Sequence, residues 1–87
     1  MRSYQNSYIS TATTTTVKTG RGNFGGIVIG ETAAGAITIY DNTAGSGTVI
    51  GVLKASIAEG TYTFDTSFTT GLTIVTAGAS KITVLFE

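Results

Sequence analysis

Apolar residues in this chain alternate with polar ones over runs of five or six positions, and no stretch sustains the 3.6-residue period of a helix. Residues 36–41 show the pattern cleanly: Ile37 and Ile39 fall on one side, Thr38 and Tyr40 on the other. In residues 61–65, Tyr62 and Phe64 point inward between Thr61, Thr63 and Asp65, and in residues 81–86 Ile82, Val84 and Phe86 do the same. Similar runs occupy residues 8–11, 13–18, 24–31, 48–55 and 72–76. They are rich in Thr, Val and Ile, whose branched Cβ is stiff in a helix and fits a pleated surface. Between them lie clusters of Gly, Asn, Asp and Ser, the residues that close turns. Seven or eight short strands at this spacing predict an all-β fold, a small antiparallel β-sandwich or jelly-roll-like barrel.

The same alternation assigns faces. Ile27 and Ile29 lie opposite Val28, and Val49 and Leu53 lie inward, opposite Ile50 and Val52. Phe68 drops into the core from the connection before residue 72, and residues 56–60 form a connection with room for one helical turn. Residues 1–8 are polar with two tyrosines and read as an N-terminal arm; residues 9–87 read as a single β-sandwich domain.

Eighty-seven residues make a thin core, which on its own supplies about 3–5 kcal/mol unless something staples it. There is no cysteine for a disulfide, and without His or Cys a structural zinc ion lacks its ordinary ligands. The remaining staple is association, with copies of the chain or with another protein. Charge agrees with this: five basic and five acidic residues leave no net field for nucleic acid or anionic membrane. Charged residues are 11% of the chain, against roughly 25% in an ordinary soluble domain. No apolar run approaches the roughly 20 residues of a transmembrane helix. Residues 1–8 lack an apolar signal-peptide region, which predicts cytoplasmic synthesis.

Pro and charge are the common protections of exposed sheet edges, and this chain has no Pro and little charge. Its edges are therefore expected to be covered by partners. Val28, Ile50, Val52, Val75 and Leu85 fall on faces opposite the predicted core, enough on a small domain to mark an interface. With Tyr4 and Tyr8 of the arm they make up the candidate interface, Tyr being enriched where proteins meet.

Motifs for other chemistry dissolve on inspection. Gly20-Arg21-Gly22-Asn23-Phe24-Gly25 matches G-x-G-x-x-G, but a strand follows it where a dinucleotide site requires a helix. A glycine-rich hairpin or bulge is the better reading. With no His or Cys there is no Ser-His or Cys-His nucleophile pair. Glu31, Asp41, Glu59, Asp65 and Glu87 all sit at strand ends or turns, where solvated charge is ordinary, so neither catalysis nor a cofactor is expected. Asp41-Asn42-Thr43 offers oxygens to calcium but too few of them, and reads as an Asx-type turn. The five cations are scattered without aromatic interleaving, which argues against nucleic-acid binding.

Three stretches resemble a family of small virion proteins of tailed bacteriophages: Tyr8-Ile9-Ser10-Thr11-Ala12-Thr13-Thr14-Thr15-Thr16-Val17-Lys18-Thr19-Gly20, Ile37-Thr38-Ile39-Tyr40-Asp41-Asn42-Thr43-Ala44-Gly45-Ser46-Gly47-Thr48, and Gly71-Leu72-Thr73-Ile74-Val75-Thr76-Ala77-Gly78. The resemblance implies a structural role in the virion and carries over no binding residue. Joined to the low charge and open edges, it gives an expected function of decorating or cementing the outer capsid surface. The expected partners are the major capsid protein and copies of the chain itself. A tail or fibre component is the alternative, with Tyr40, Asn42 and Arg21 presented to a host glycan or protein. A free-standing binding module, such as a carbohydrate-binding domain, ranks third, because the chain has no Trp for an aromatic platform.

Overall fold

Strand pairing in this molecule follows one rule: the first strand pairs with the last, the second with the seventh, and so on inward. A computed structural model describes residues 4–87 and contains β1 (Gln5–Ile9), β2 (Thr14–Thr19), β3 (Gly22–Glu31), β4 (Ile37–Asp41), β5 (Thr48–Leu53), β6 (Gly60–Phe68), β7 (Gly71–Thr76) and β8 (Lys81–Phe86). β1 pairs with β8, β2 with β7, β3 with β6 and β4 with β5, all antiparallel. The chain is thus one long hairpin with its tip at residues 42–47, rolled into a first sheet of order β1-β8-β3-β6 and a second of order β2-β7-β4-β5. Eight antiparallel strands wrapped this way into two sheets make a jelly roll, the more specific of the two architectures expected.

The corners are short because backbone groups there find partners across the hairpin. Gly20 N–H donates to the Thr70 carbonyl (2.9 Å), tying the β2–β3 corner to the β6–β7 corner. At the next corner the buried Thr76 hydroxyl donates to the Thr11 carbonyl (2.6 Å) and accepts from Thr13 N–H (3.0 Å). Between the sheets, Ile9, Ile27, Ile29, Ile82 and Val84 of the first meet Ile37, Ile39, Leu72 and Ile74 of the second. Each such side chain contributes about 1.5–3 kcal/mol of burial. Phe24 closes one end, its ring 4.9 Å from that of Phe64.

Simple alternation fails where the ladders bulge, and there the sequence-based faces need correction. On β5, Gly51 pairs with Ile39 and Val49 with Tyr40, so Ile50 is an extra residue. The bulge turns Ile50 onto the core and Val49 out to solvent, the reverse of the expected assignment. On β3, Gly25 is extra relative to β8, which lets Phe24 and Ile27, three apart, both face inward. Val17 bulges out of the β2–β7 register and packs on the core. Gln5–Tyr8, expected to be the end of an arm, continue as β1 because β8 offers them an open edge; residues 1–3 lie outside the described residues. Phe68 is buried as the last residue of β6 itself, not from a connection. Residues 56–60 make no helical turn: Ser56 takes a left-handed conformation (φ 55°) in a plain turn.

Candidate interaction surface

The outer face of the first sheet is built by register. Tyr8 on β1 lies beside Thr83 on β8, then Val28 on β3, then Thr61 on β6. The next row runs Asn6, Leu85, Gly26, Thr63. These two rows carry no charge. Val28 and Leu85 are half-buried and Tyr8 is 63% exposed. Tyr4 lies on the same face: its ring covers Gly25, where an added Cβ would come within 2.8 Å of it, and its hydroxyl donates to Asp65 (3.3 Å). Among the described residues charge returns at the ends, with Asp65 and Glu87 at one and the Lys81–Glu31 pair (3.3 Å) at the other. Four of the seven residues expected at an interface, Tyr4, Tyr8, Val28 and Leu85, therefore share this face. Asn6, Thr61, Thr63 and Thr83 complete it and were not among the expected residues, since strand order, which places them there, is not written in any one segment.

The other three are dispersed. Ile50 is corrected to the core side by the bulge. Val52 stays outward at 58% exposure, with Val49 beside it at 49%, on the edge strand β5. Val75 faces outward but is roofed by the hairpin tip: a Cβ on Gly45 would sit 2.8 Å from Val75 Cγ2. The tip is held there by polar bonds. Thr73 Oγ1 donates to the Asn42 carbonyl (2.7 Å) and Thr16 Oγ1 to the Thr43 carbonyl (3.1 Å), so Thr73 is fully buried although it points away from the core.

Asp41 anchors the tip from the other side. Its carboxylate accepts from the backbone N–H groups of Thr70 (2.9 Å), Thr69 (3.1 Å) and Gly71 (3.4 Å), and from the Thr69 hydroxyl (3.3 Å). Successive N–H groups aimed at one point form an anion-binding nest, and here the chain fills its own nest. The Thr70 N–H first, with those of Thr69 and Gly71 adding, holds the carboxyl below its ordinary value near 3.8; desolvation opposes them. Asn42 is equally occupied: its Nδ2 donates to the Ser46 carbonyl (2.7 Å) and its Oδ1 accepts from Thr43 N–H (2.8 Å). Asn42 thus serves the hairpin tip and its amide is already engaged there, whereas the Asp41 carboxylate reaches across to residues 69–71 in place of the local Asx-type turn expected. Tyr40 is half-buried in β4 and Arg21 is exposed at the β2–β3 corner.

The G-x-G-x-x-G stretch runs through that corner into β3, a strand; Gly20 supplies a left-handed backbone (φ 91°), and Gly22 and Gly25 allow close packing. A Cβ on Gly22 would collide with the Glu87 carbonyl, whose own bonds to Asn23 extend the β3–β8 ladder. Among the described residues no three His, Cys, Asp or Glu side chains converge as a metal site would require. No family model, curated protein or solved structure matches this chain.

Proposed function

We propose that this chain is a structural virion protein of a tailed bacteriophage that decorates the capsid by laying the outer face of its first sheet on the shell. The observation that carries the reading is the gathering of Tyr4, Tyr8, Val28 and Leu85 onto one uncharged face with charge confined to its ends. Val28 and Leu85 on the two inner strands make an aliphatic centre, with Asn6, Thr61, Thr63 and the tyrosines around it, and Tyr is enriched where proteins meet. The likeness of residues 8–20, 37–48 and 71–78 to small phage virion proteins supplies the setting. The jelly roll is compatible with it, since capsid domains use this fold, but lectins do too, so the fold is support by analogy only. Binding to assembled shell and not to the unfolded state would stabilise both partners by mass action.

The test is to locate the chain in particles of its parent phage and count it. A copy number in the hundreds across the capsid surface is the expected result; a few copies at the tail would replace this reading with the tail alternative. Leu85→Asp, which puts a carboxylate in the middle of the face, is expected to abolish binding to shells stripped of the protein while leaving the circular dichroism spectrum unchanged. Undiminished binding by that variant would remove this face from the proposal.

A further inference from the structure

The two sheets leave four edge strands, β1 and β6 in the first and β2 and β5 in the second. An open edge offers unpaired N–H and C=O groups to any other strand, and folded proteins blunt such edges with bulges, charge or Pro. Three of the four are blunted. β2 bulges at Val17 and carries Lys18; β5 bulges at Ile50; β6 shifts register beside Asp65, which sits at φ 50° and adds its own charge. β1 has none of these devices. Its five residues, Gln5-Asn6-Ser7-Tyr8-Ile9, hold no charge and no Pro, and their register on β8 runs unbroken from Gln5↔Phe86 to Ile9↔Ile82.

We propose that β1 pairs antiparallel with β1 of a second copy about a two-fold axis through Ser7, joining the two first sheets into one eight-stranded sheet. This goes beyond the capsid reading and stands without it. When an edge strand meets the same edge of a second copy about a two-fold axis normal to the sheet, the two strands run antiparallel and the dimer is closed and isologous. Centring the axis on Ser7 pairs all five residues, and any other centre leaves some unpaired. Asn6 then lies opposite Tyr8 of the second copy on the outer face, and Gln5 opposite its Ile9 on the inner face. Directly opposed residues interact strongly, and diagonal neighbours about 7–8 Å apart remain within reach of aromatic side chains, so the two Tyr8 rings also meet. Because β1 is neutral, no like charges face one another, whereas self-pairing of β6 about Phe64 would bring Asp65 diagonally beside Asp65 of the second copy. The five paired residues extend the contact about 17 Å along the edge of a molecule 17 Å through its thinnest dimension, which places the dimer among small interfaces, below about 1,200 Å² in all.

Sedimentation equilibrium of the full chain tests this. The wild type is expected to dimerise. Asn6→Glu with Tyr8→Glu sets carboxylates against each other across the axis, and Asn6→Lys with Tyr8→Lys sets ammonium groups there. Each double variant is expected to raise the dimer dissociation constant at least about tenfold, and an equimolar mixture of the two to recover a dimer as a heterodimer. A wild type that stays monomeric up to about 1 mM, variants that dimerise as well as the wild type, or a mixture that does not rescue would each overturn the proposal. Both positions are exposed, so folding should survive. Should a variant unfold, amide exchange of the wild type decides: protection of residues 5–9 must rise with protein concentration, and no rise overturns the pairing.

Discussion

Asp41 shows how much one surface carboxylate can organise when the backbone is bent to meet it. Four donors from Thr69, Thr70 and Gly71 converge on it, and it fixes both the end of β4 and the two-residue corner between β6 and β7. Hydrogen bonds to a charged group are worth about 1.5–3 kcal/mol when sheltered. Here the carboxylate stays in contact with water, so Asp41→Ala is expected to cost about 1 kcal/mol, read from the urea midpoint at pH 7. The pH dependence follows from the direction of the shift. Since the folded state holds the group below its unfolded value of about 3.9, the stabilisation is fully present above that pH and is lost as pH falls through the folded value. The stability gap between wild type and Asp41→Ala should therefore narrow as pH falls below about 4; a gap that stays constant on acidification would mean that charge is not the cause. Gly26 makes the contrasting case of a residue defined by what it lacks. Its backbone is at φ 157° and an added Cβ would strike the Tyr62 carbonyl of the neighbouring strand. Gly26→Ala is expected to destabilise by about 1–3 kcal/mol, the usual cost of forcing atoms into filled space.

At the scale of elements, the bulges decide which side chains are core. If Ile50 is the extra residue of β5, Ile50→Ala should cost about 1–2 kcal/mol, below the roughly 2–5 of a fully buried site. Val49→Ala and Val52→Ala should stay within about 0.5 kcal/mol. An uninterrupted strand would exchange the costs at residues 49 and 50, so denaturant midpoints of the three variants read the register directly. These same places mark where the sequence ceases to be legible. Strands with unbroken alternation, such as Ile37-Thr38-Ile39-Tyr40 and Ile82-Thr83-Val84-Leu85-Phe86, revealed their buried face because a period of two is itself the geometry of the strand. A bulge shifts every later residue to the opposite face. Its trace in the sequence is an odd spacing between core residues: Phe24 to Ile27, and Ile50 to Leu53. Glycine next to the interruption, Gly25 and Gly26 or Gly51, is the second trace. The candidate surface was legible in part for the same reason. Val28 and Leu85 could be read from their own strands, but Val75 could not be known to lie beneath Gly45, because that roof depends on how the hairpin tip folds back.

For the whole molecule, the rolled hairpin means that local turns can nucleate little of the structure. β4 and β5 alone among the antiparallel partners are joined directly by the tip; β3–β6, β2–β7 and β1–β8 close progressively larger loops, and the last brings residues 5 and 86 together. Loop entropy must be met before each of these pairings returns any stabilisation. Such non-local topologies fold in milliseconds to seconds, far slower than helical domains of the same size. The composition sharpens the expectation, because a chain with no proline lacks the isomerisation that adds phases of about 10–100 s to the refolding of many small domains. Refolding followed by tyrosine fluorescence, at a concentration low enough to keep the chain monomeric, should therefore be a single exponential. The amplitude should be complete within seconds and indifferent to prolyl isomerase and to the time spent unfolded. A slow phase that grows with protein concentration would trace to pairing between copies at β1, whereas a slow phase independent of concentration would mean that the hairpin rolls through a populated intermediate.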